Sequence, residues 1–275
     1  MALFIGLMSG TSLDGVDAVL AELADEHIAA RSLAHTHLPM PAALRQELMA
    51  LNRSGADELH RAALAANALA DLYAQAVEDL LRQAPRARGQ VQALGAHGQT
   101  VRHRPQAFGG TGYTLQLING ALLAEKTGIA TVCDFRSRDV AVGGQGAPLV
   151  PAFHAAQFGR AGHSVAVLNI GGIANLTLLG PSGTVLGFDC GPGNALMDAW
   201  CQAHHGMPYD AAGAWASTGR VLPALLDGLL AEPFFSAAPP KSTGRDLFND
   251  DWLASRLARL TPLPAAVDKI GRAHV

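Results

Sequence analysis

A Gly-Thr-Ser-Leu-Asp-Gly run at positions 10–15 stands between two apolar segments that alternate with a period of two. This combination restricts the start of the chain to a strand, a tight polar turn and a second strand. Leu3, Ile5 and Leu7 precede the run, and Val16, Ala18 and Leu20 follow it. The turn therefore closes a hairpin and does not open a helix, which separates it from G-x-x-x-x-G-K-[ST] and from the dinucleotide-binding G-x-G-x-x-G. Gly10 and Gly15 are expected to take backbone conformations closed to other residues. Thr11 and Ser12 add hydroxyls to a row of backbone N–H donors, and such a row cradles phosphate. An ordinary Gly-rich hairpin turn has the same letters, and the run alone does not separate the two readings.

With 275 residues, 49% of them hydrophobic, the chain can bury a sizeable core in one large or two ordinary domains. Its formal net charge is -3 and no basic stripe carries interleaved aromatics, which argues against nucleic acid as the main ligand. No apolar stretch is long enough to span a bilayer, and the first residues run into a strand pattern without a basic leader. A soluble cytoplasmic protein with no membrane partner is the expectation. Cys133, Cys190 and Cys201 are odd in number and lack C-x-x-C spacing, so they are expected to be buried small hydrophobes, not disulfides or zinc ligands. Eleven histidines include no H-E-x-x-H spacing, which disfavours a His-bound catalytic metal.

Leu69, Leu72, Tyr73, Ala76, Val77, Leu80 and Leu81 recur at three- and four-residue spacing and predict a long helix from an Asp57 N-cap to about Gln83. A strand over 91–96 should lead to a loop of His97, Gly98, Gln99 and Thr100. A strand over 113–118, a helix around 121–127 and a buried parallel-type strand over 129–133 follow. From Val165 the opening pattern restarts, with strands over 165–170, 174–179 and 184–188 and an Asn-Ile-Gly-Gly-Ile-Ala-Asn turn at 169–175. Alternating β and α elements imply an α/β protein. Two such Gly turns would suit the two sides of a polyphosphate, although apolar hairpins also look alike by chance.

Asp189 follows the third of these strands and precedes Cys190-Gly191-Pro192-Gly193-Asn194. A carboxylate at a strand end, before a Gly-Pro-Gly turn into a helix near Ala195, is a candidate general base for activating a hydroxyl or water. Capping of the next turn is the competing reading. The Asp134–Asp139 run and the Gly-rich stretch from Gly143 to Leu149 supply acids, the guanidinium forks of Arg136 and Arg138, and exposed backbone. Such groups suit a sugar ring with an acidic substituent, or equally a set of surface salt bridges.

Taken together, the runs 5–17, 97–101, 134–136, 143–151, 169–175, 189–194 and 241–245 resemble the anhydro-N-acetylmuramic acid kinases of the sugar kinase, Hsp70 and actin superfamily. They occur in that family's order and span nearly the whole chain. The resemblance implies an actin-like, ribonuclease H-like two-lobed ATPase fold with a cleft for nucleotide and sugar. Residues 1–160 would form the first lobe and 161–275 the start of the second. Gly10, Thr11, Ser12, Leu13, Asp14, Gly15, Val16 and Asp17 match the first ATP-binding segment, and Asn169, Gly171, Gly172 and Asn175 the second. Asp189 matches the catalytic base. His97, Gln99, Thr100, Arg136, Gly144, Gln145, Ala147, Pro148 and Asn194 fall in the sugar-binding motifs. Mg²⁺ is implied between the phosphates, with Asp14 or Asp17 as its protein partner through water.

The implied reaction opens 1,6-anhydro-N-acetylmuramic acid with water and phosphorylates its O6. Another sugar kinase of the superfamily, or a non-catalytic sugar-binding relative, are the alternatives, and a homodimer is left open. The sequence also departs from the family's pattern: Ile118-Asn119 replaces Gly-Asp, and Cys190 stands where Thr is common. The family's C-terminal G-G-G-x-x-N adenosine turn and later acidic cluster are missing, and Ile270–Val275 reads like translated sequencing adapter. An incomplete second lobe is therefore expected, and with it a chain that is a poor kinase by itself.

Overall fold

The computed structural model describes residues 2–24 and 27–259. The terminal run Ile270–Val275, expected to be foreign to the protein, lies outside them. The predicted hairpin is present as β1 (Ala2–Met8) and β2 (Gly15–Ala24), antiparallel, with Met8 opposite Asp17. The chain continues into β3 (His27–Pro39), antiparallel to β2, and then α1 (Ala42–Ala50).

The long helix, α2 (Glu58–Gln83), buries Leu69, Tyr73, Ala76, Val77, Leu80 and Leu81, the spacing of one helical face. Asp57 does precede it, but with a left-handed φ of 50° and no capping side-chain hydrogen bond. β4 (Val91–Ala96) runs parallel to β1. The expected 97–100 loop is shorter than the sequence implied, because Gln99 and Thr100 already belong to β5 (Gln99–Pro105), which pairs with β6 (Gly112–Leu117). α3 (Gly120–Thr127) starts at the departure from the family pattern: Asn119 Oδ1 accepts the Leu122 N–H at 3.0 Å, a cap that Ile-Asn supplies in place of Gly-Asp. The parallel strand expected at 129–133 contracts to β7 (Thr131–Val132), and Val132 is 54% exposed. Two residues pair with β4, between the left-handed Gly128 cap of α3 and the start of α4 (Ser137–Ala141).

The resulting sheet has the order β3-β2-β1-β4-β7, antiparallel on one side of β1 and parallel on the other, with α1, α2 and α3 contributing to the same apolar core. This is a mixed α/β arrangement, as the alternation of β and α elements in the sequence implies. α5 (Pro151–Phe158) leads to β8 (Val165–Ile170), β9 (Ile173–Leu179) and β10 (Val185–Pro192), a three-stranded sheet in the order β10-β9-β8. α6 (Ala195–His205), α7 (Pro223–Leu230), α8 (Pro233–Ser236) and α9 (Asp250–Leu257) follow.

The chain divides into two compact units. The first comprises the residues up to Val167 with Thr177–Leu186, and the second Leu168–Leu176 with the residues from Gly187 on. The cysteines are free, as expected, yet Cys201 alone is buried, while Cys133 and Cys190 are partly exposed. Among the described residues no helix is long and apolar enough to cross a membrane.

Candidate active site

In the first unit the Gly10–Gly15 turn is held from inside. Neither glycine has a positive φ; the left-handed residue is Leu13, at φ 56°, whose side chain is buried in the core. Burying Leu13 offsets the strain of a conformation that Gly usually supplies. Gly15 is needed for a different reason: a Cβ there would lie 2.4 Å from Leu38 O and 2.5 Å from the His37 ring, so β2 and β3 approach only without a side chain.

Leu13 N–H donates to Gly10 O at 3.1 Å, and Gly15 N–H to Asp14 Oδ1 at 3.0 Å, where Ser12 Oγ also donates at 2.7 Å. Val16 is fully buried, so Leu13 and Val16 offer a ligand only their backbones. Asp14 is exposed, whereas Asp17 Oδ1 lies 3.1 Å from both His35 Nε2 and His37 Nδ1 on β3. Ser9, just before the turn, is buried and joins Tyr73 OH at 3.0 Å and Gly98 O at 3.2 Å. Burial pushes the Tyr73 pKa up to about 12, so its hydroxyl stays protonated.

Residues from three sugar-binding motifs meet at Arg136. His97 N–H continues the β1–β4 ladder by donating to Leu7 O at 3.0 Å. Its Nε2 accepts Arg136 Nε at 3.0 Å and Nη2 at 2.8 Å, while Nδ1 lies 2.6 Å from Gly98 O. That pattern defines a neutral imidazole with its proton on Nδ1. Burial, reinforced by the Arg136 charge, lowers the His97 pKa from the ordinary 6.5 to about 4. Arg136 Nη1 donates to Gly146 O at 2.6 Å, and Asp139 Oδ2 accepts the Gly146 N–H at 2.7 Å. The loop that carries Gly144, Gln145, Ala147 and Pro148 is thus tied down on both sides.

Sequence placed His97 and Arg136 side by side as substrate contacts. Both ring nitrogens of His97 are engaged inside the protein, and His97 holds Arg136 in place. Gln99 is buried and its Oε1 has no partner; Gln116 Oε1 is likewise unpartnered, while Gln116 Nε2 donates to Thr100 Oγ1 at 3.1 Å. Buried acceptors without donors are the mark of a place where water or a ligand hydroxyl completes the hydrogen bonding.

In the second unit, Asp189 lies within β10, 4% exposed. Its N–H donates to Lys241 O at 3.0 Å, and its Oδ2 accepts the Thr243 N–H at 2.9 Å. Lys241 Nζ in turn donates to Phe234 O at 2.8 Å and Phe235 O at 3.1 Å, anchoring this strap to α8. The Asn-Ile-Gly-Gly turn packs on the start of α6: Gly193 N–H donates to Gly172 O at 2.9 Å and Asn194 N–H to Gly171 O at 2.8 Å. A Cβ at Gly193 would stand 2.0 Å from Gly171 O, so this contact requires glycine. Asn175 Oδ1 and Asn194 Oδ1 are buried without partners, and Asn169 is exposed on β8. An apolar cavity of about 260 Å³, walled by Cys190, Pro192, Met197, Trp200 and Phe235, borders the residues next to Asp189.

Sequence reasoning gave no individual role to Ser9, Tyr73, Gln116 or the Lys241–Thr243 strap, which these hydrogen bonds join to the motif residues. The strap lay within a motif already recognised, Lys-Ser-Thr-Gly-Arg, and that motif was the available signal.

Comparison with known proteins follows the same motifs. The chain is 65% identical to the anhydro-N-acetylmuramic acid kinase of Variovorax paradoxus over 261 residues, 93% of this chain and 69% of that protein. The proteins of the same name from Albidiferax ferrireducens and Bordetella petrii are 57% and 63% identical, each over 97% of this chain and over 73% and 69% of their own lengths. The sequence pattern described as anhydro-N-acetylmuramic acid kinase matches residues 2–270, and the chain belongs to that family.

Proposed function

We propose that this chain is an ATP-dependent kinase acting in the cytoplasm on 1,6-anhydro-N-acetylmuramic acid, and that its product, N-acetylmuramic acid 6-phosphate, returns peptidoglycan sugar to metabolism. The observation that carries this reading is the buried Asp189 carboxylate, in a unit that also leaves Asn175 Oδ1 and Asn194 Oδ1 buried without partners. Asp189 takes a proton from water as the water oxygen bonds to the anomeric carbon. The bond from that carbon to O6 breaks, and O6 receives the γ-phosphoryl group of ATP.

Arg136, held by His97 and Gly146 O, pairs with the lactyl carboxylate. In the first unit the Gly144–Pro148 loop borders the ring, and Gln99 and Thr100 accept from sugar hydroxyl or amide groups. In the first unit the Gly10–Gly15 turn offers its backbone N–H groups to phosphate, and in the second the Asn-Ile-Gly-Gly turn offers its own.

The residues present fit a hydrated Mg²⁺. The carboxylates of Asp14 and Asp17 at the first Gly turn are exposed, and Mg²⁺ keeps several of its waters in nucleotide sites. Asp14 or Asp17 is its protein partner through water: both are exposed, Asp14 Oδ1 accepting Ser12 Oγ and the Gly15 N–H, and Asp17 Oδ1 lying beside His35 and His37. When bound, the ion offsets charge on the phosphate oxygens.

Running the reaction in ¹⁸O-labelled water tests the coupling. Label is expected on the anomeric oxygen of the product and absent from its phosphate; label in the phosphoryl group would overturn the reading.

A further inference from the structure

The Lys-Ser-Thr-Gly-Arg motif has no role in the chemistry described so far, yet the structure brings it to the carboxylate. We propose that the Thr243 hydroxyl is a catalytic group that holds the attacking water beside Asp189. This rests on Asp189 being the base.

Three observations converge on Thr243. Its N–H donates to Asp189 Oδ2 at 2.9 Å, which holds the residue against that carboxylate. Its Oγ1 is buried and without a hydrogen-bond partner. The segment that carries it is fixed at the other end, by Lys241 O to the Asp189 N–H at 3.0 Å and by Lys241 Nζ to two carbonyls of α8.

A buried hydroxyl without a partner is destabilising unless something completes its bonding. A structural role for Thr243 is already met by its backbone N–H, which any residue except proline supplies. The hydroxyl therefore has a separate use. A water has two hydrogens to give: one passes to Asp189 in the reaction, and Thr243 Oγ1 accepts the other. Together they turn an oxygen lone pair toward the anomeric carbon. The hydroxyl takes no proton in the net reaction, so atoms and charge balance as they do with Asp189 alone.

The test is Thr243→Val, which keeps the shape and the backbone N–H, set against Thr243→Ser, which restores the hydroxyl. Turnover of anhydro-N-acetylmuramic acid is followed together with calorimetric Tm. Loss of one orienting hydrogen bond is expected to lower kcat about tenfold in the Val variant, with KM for both substrates nearly unchanged. Tm should hold or rise, because an unsatisfied buried group has been removed, and the Ser variant should recover most of kcat. Unchanged kcat in Thr243→Val would overturn the proposal. So would a fall in Tm and kcat together without rescue by Ser, which would mark the side chain as structural.

Asp189→Asn separates this idea from the one beneath it. If the Asn variant turns over normally, the base assignment fails. If it is inactive while Thr243→Val is fully active, the base stands and the Thr243 assignment alone fails.

Discussion

In the unit that begins with β1, Ile5, Val16, Ala18, Leu20, Leu69, Tyr73 and Leu94 have no exposed surface, whereas in the unit carrying β10 only Phe248 among the described hydrophobic residues reaches that state. The second unit buries two carboxylates, Asp189 and Glu232, whereas the buried polar residues of the first, Ser9, Gln99, Arg102, Thr114, His154 and Thr177, include none. Glu232 Oε2 accepts Trp252 Nε1 at 2.9 Å and Arg256 Nη2 at 2.6 Å, and these bonds hold its carboxyl below the usual range. The sheets differ in the same sense. β1 lies between β2 and β4, while β8, the first strand of the second hairpin, pairs with β9 alone among the described residues, and its Leu168 and Ile170 are 58% and 55% exposed.

Two stretches with the same strand, Gly turn and strand pattern thus reach different burial. The first unit is held by apolar packing and can fix Arg136 and the Gly10–Gly15 turn on a rigid base. The second has fewer fully buried hydrophobic residues and keeps two carboxylates inside, each answered by specific donors.

The sharpest way to break this contrast is to truncate one leucine on each side. Leu69→Ala, at a fully buried position of α2, is expected to cost about 2–5 kcal/mol. Leu168→Ala, at an exposed position of β8, should stay within about 0.5 kcal/mol. Urea unfolding of the two variants measures both, and similar losses would mean that β8 is covered in solution.

Asp189→Asn comes next. It is expected to lower turnover about a hundredfold or more, the scale of lost general-base catalysis, while the amide oxygen can still accept the Thr243 N–H and keep the strap in place. Steady-state ADP release with anhydro-N-acetylmuramic acid decides it, and near-normal turnover would remove Asp189 from the mechanism.

A smaller effect belongs to the first unit and depends on pH. The His97 pKa in the folded protein, about 4, lies below its ordinary 6.5, so the unfolded chain takes up the proton first as pH falls. The stability contributed by neutral His97 is therefore fully present above about pH 6.5 and is lost as pH falls toward 4. At pH 5 the loss is about 2 kcal/mol, taking about 1.4 kcal/mol for each pH unit below the unfolded value. His97→Gln keeps an acceptor for Arg136 but has no proton to bind. Comparing urea unfolding of this variant and the parent at pH 7 and pH 5 should show the parent alone losing that amount; parallel losses would place the titration elsewhere.

Local pattern carried the reading of the sequence a long way. Alternation placed β1, β2, β8 and β9; the three- and four-residue spacing from Leu69 to Leu81 placed α2, because one helical face must be buried; and the order of the Gly-rich motifs pointed to the family. What the sequence could not show was decided by groups far apart in the chain. Leu13, not Gly10 or Gly15, took the left-handed conformation because the core accepts its side chain, and Gly15 was fixed by the approach of β3. His97 became the support of Arg136, 39 positions away, and Thr243 came to the carboxylate of Asp189 across 54 positions. Periodicity reports which face of an element is buried. A hydrogen bond between distant segments leaves no period, so only the tertiary structure could assign it.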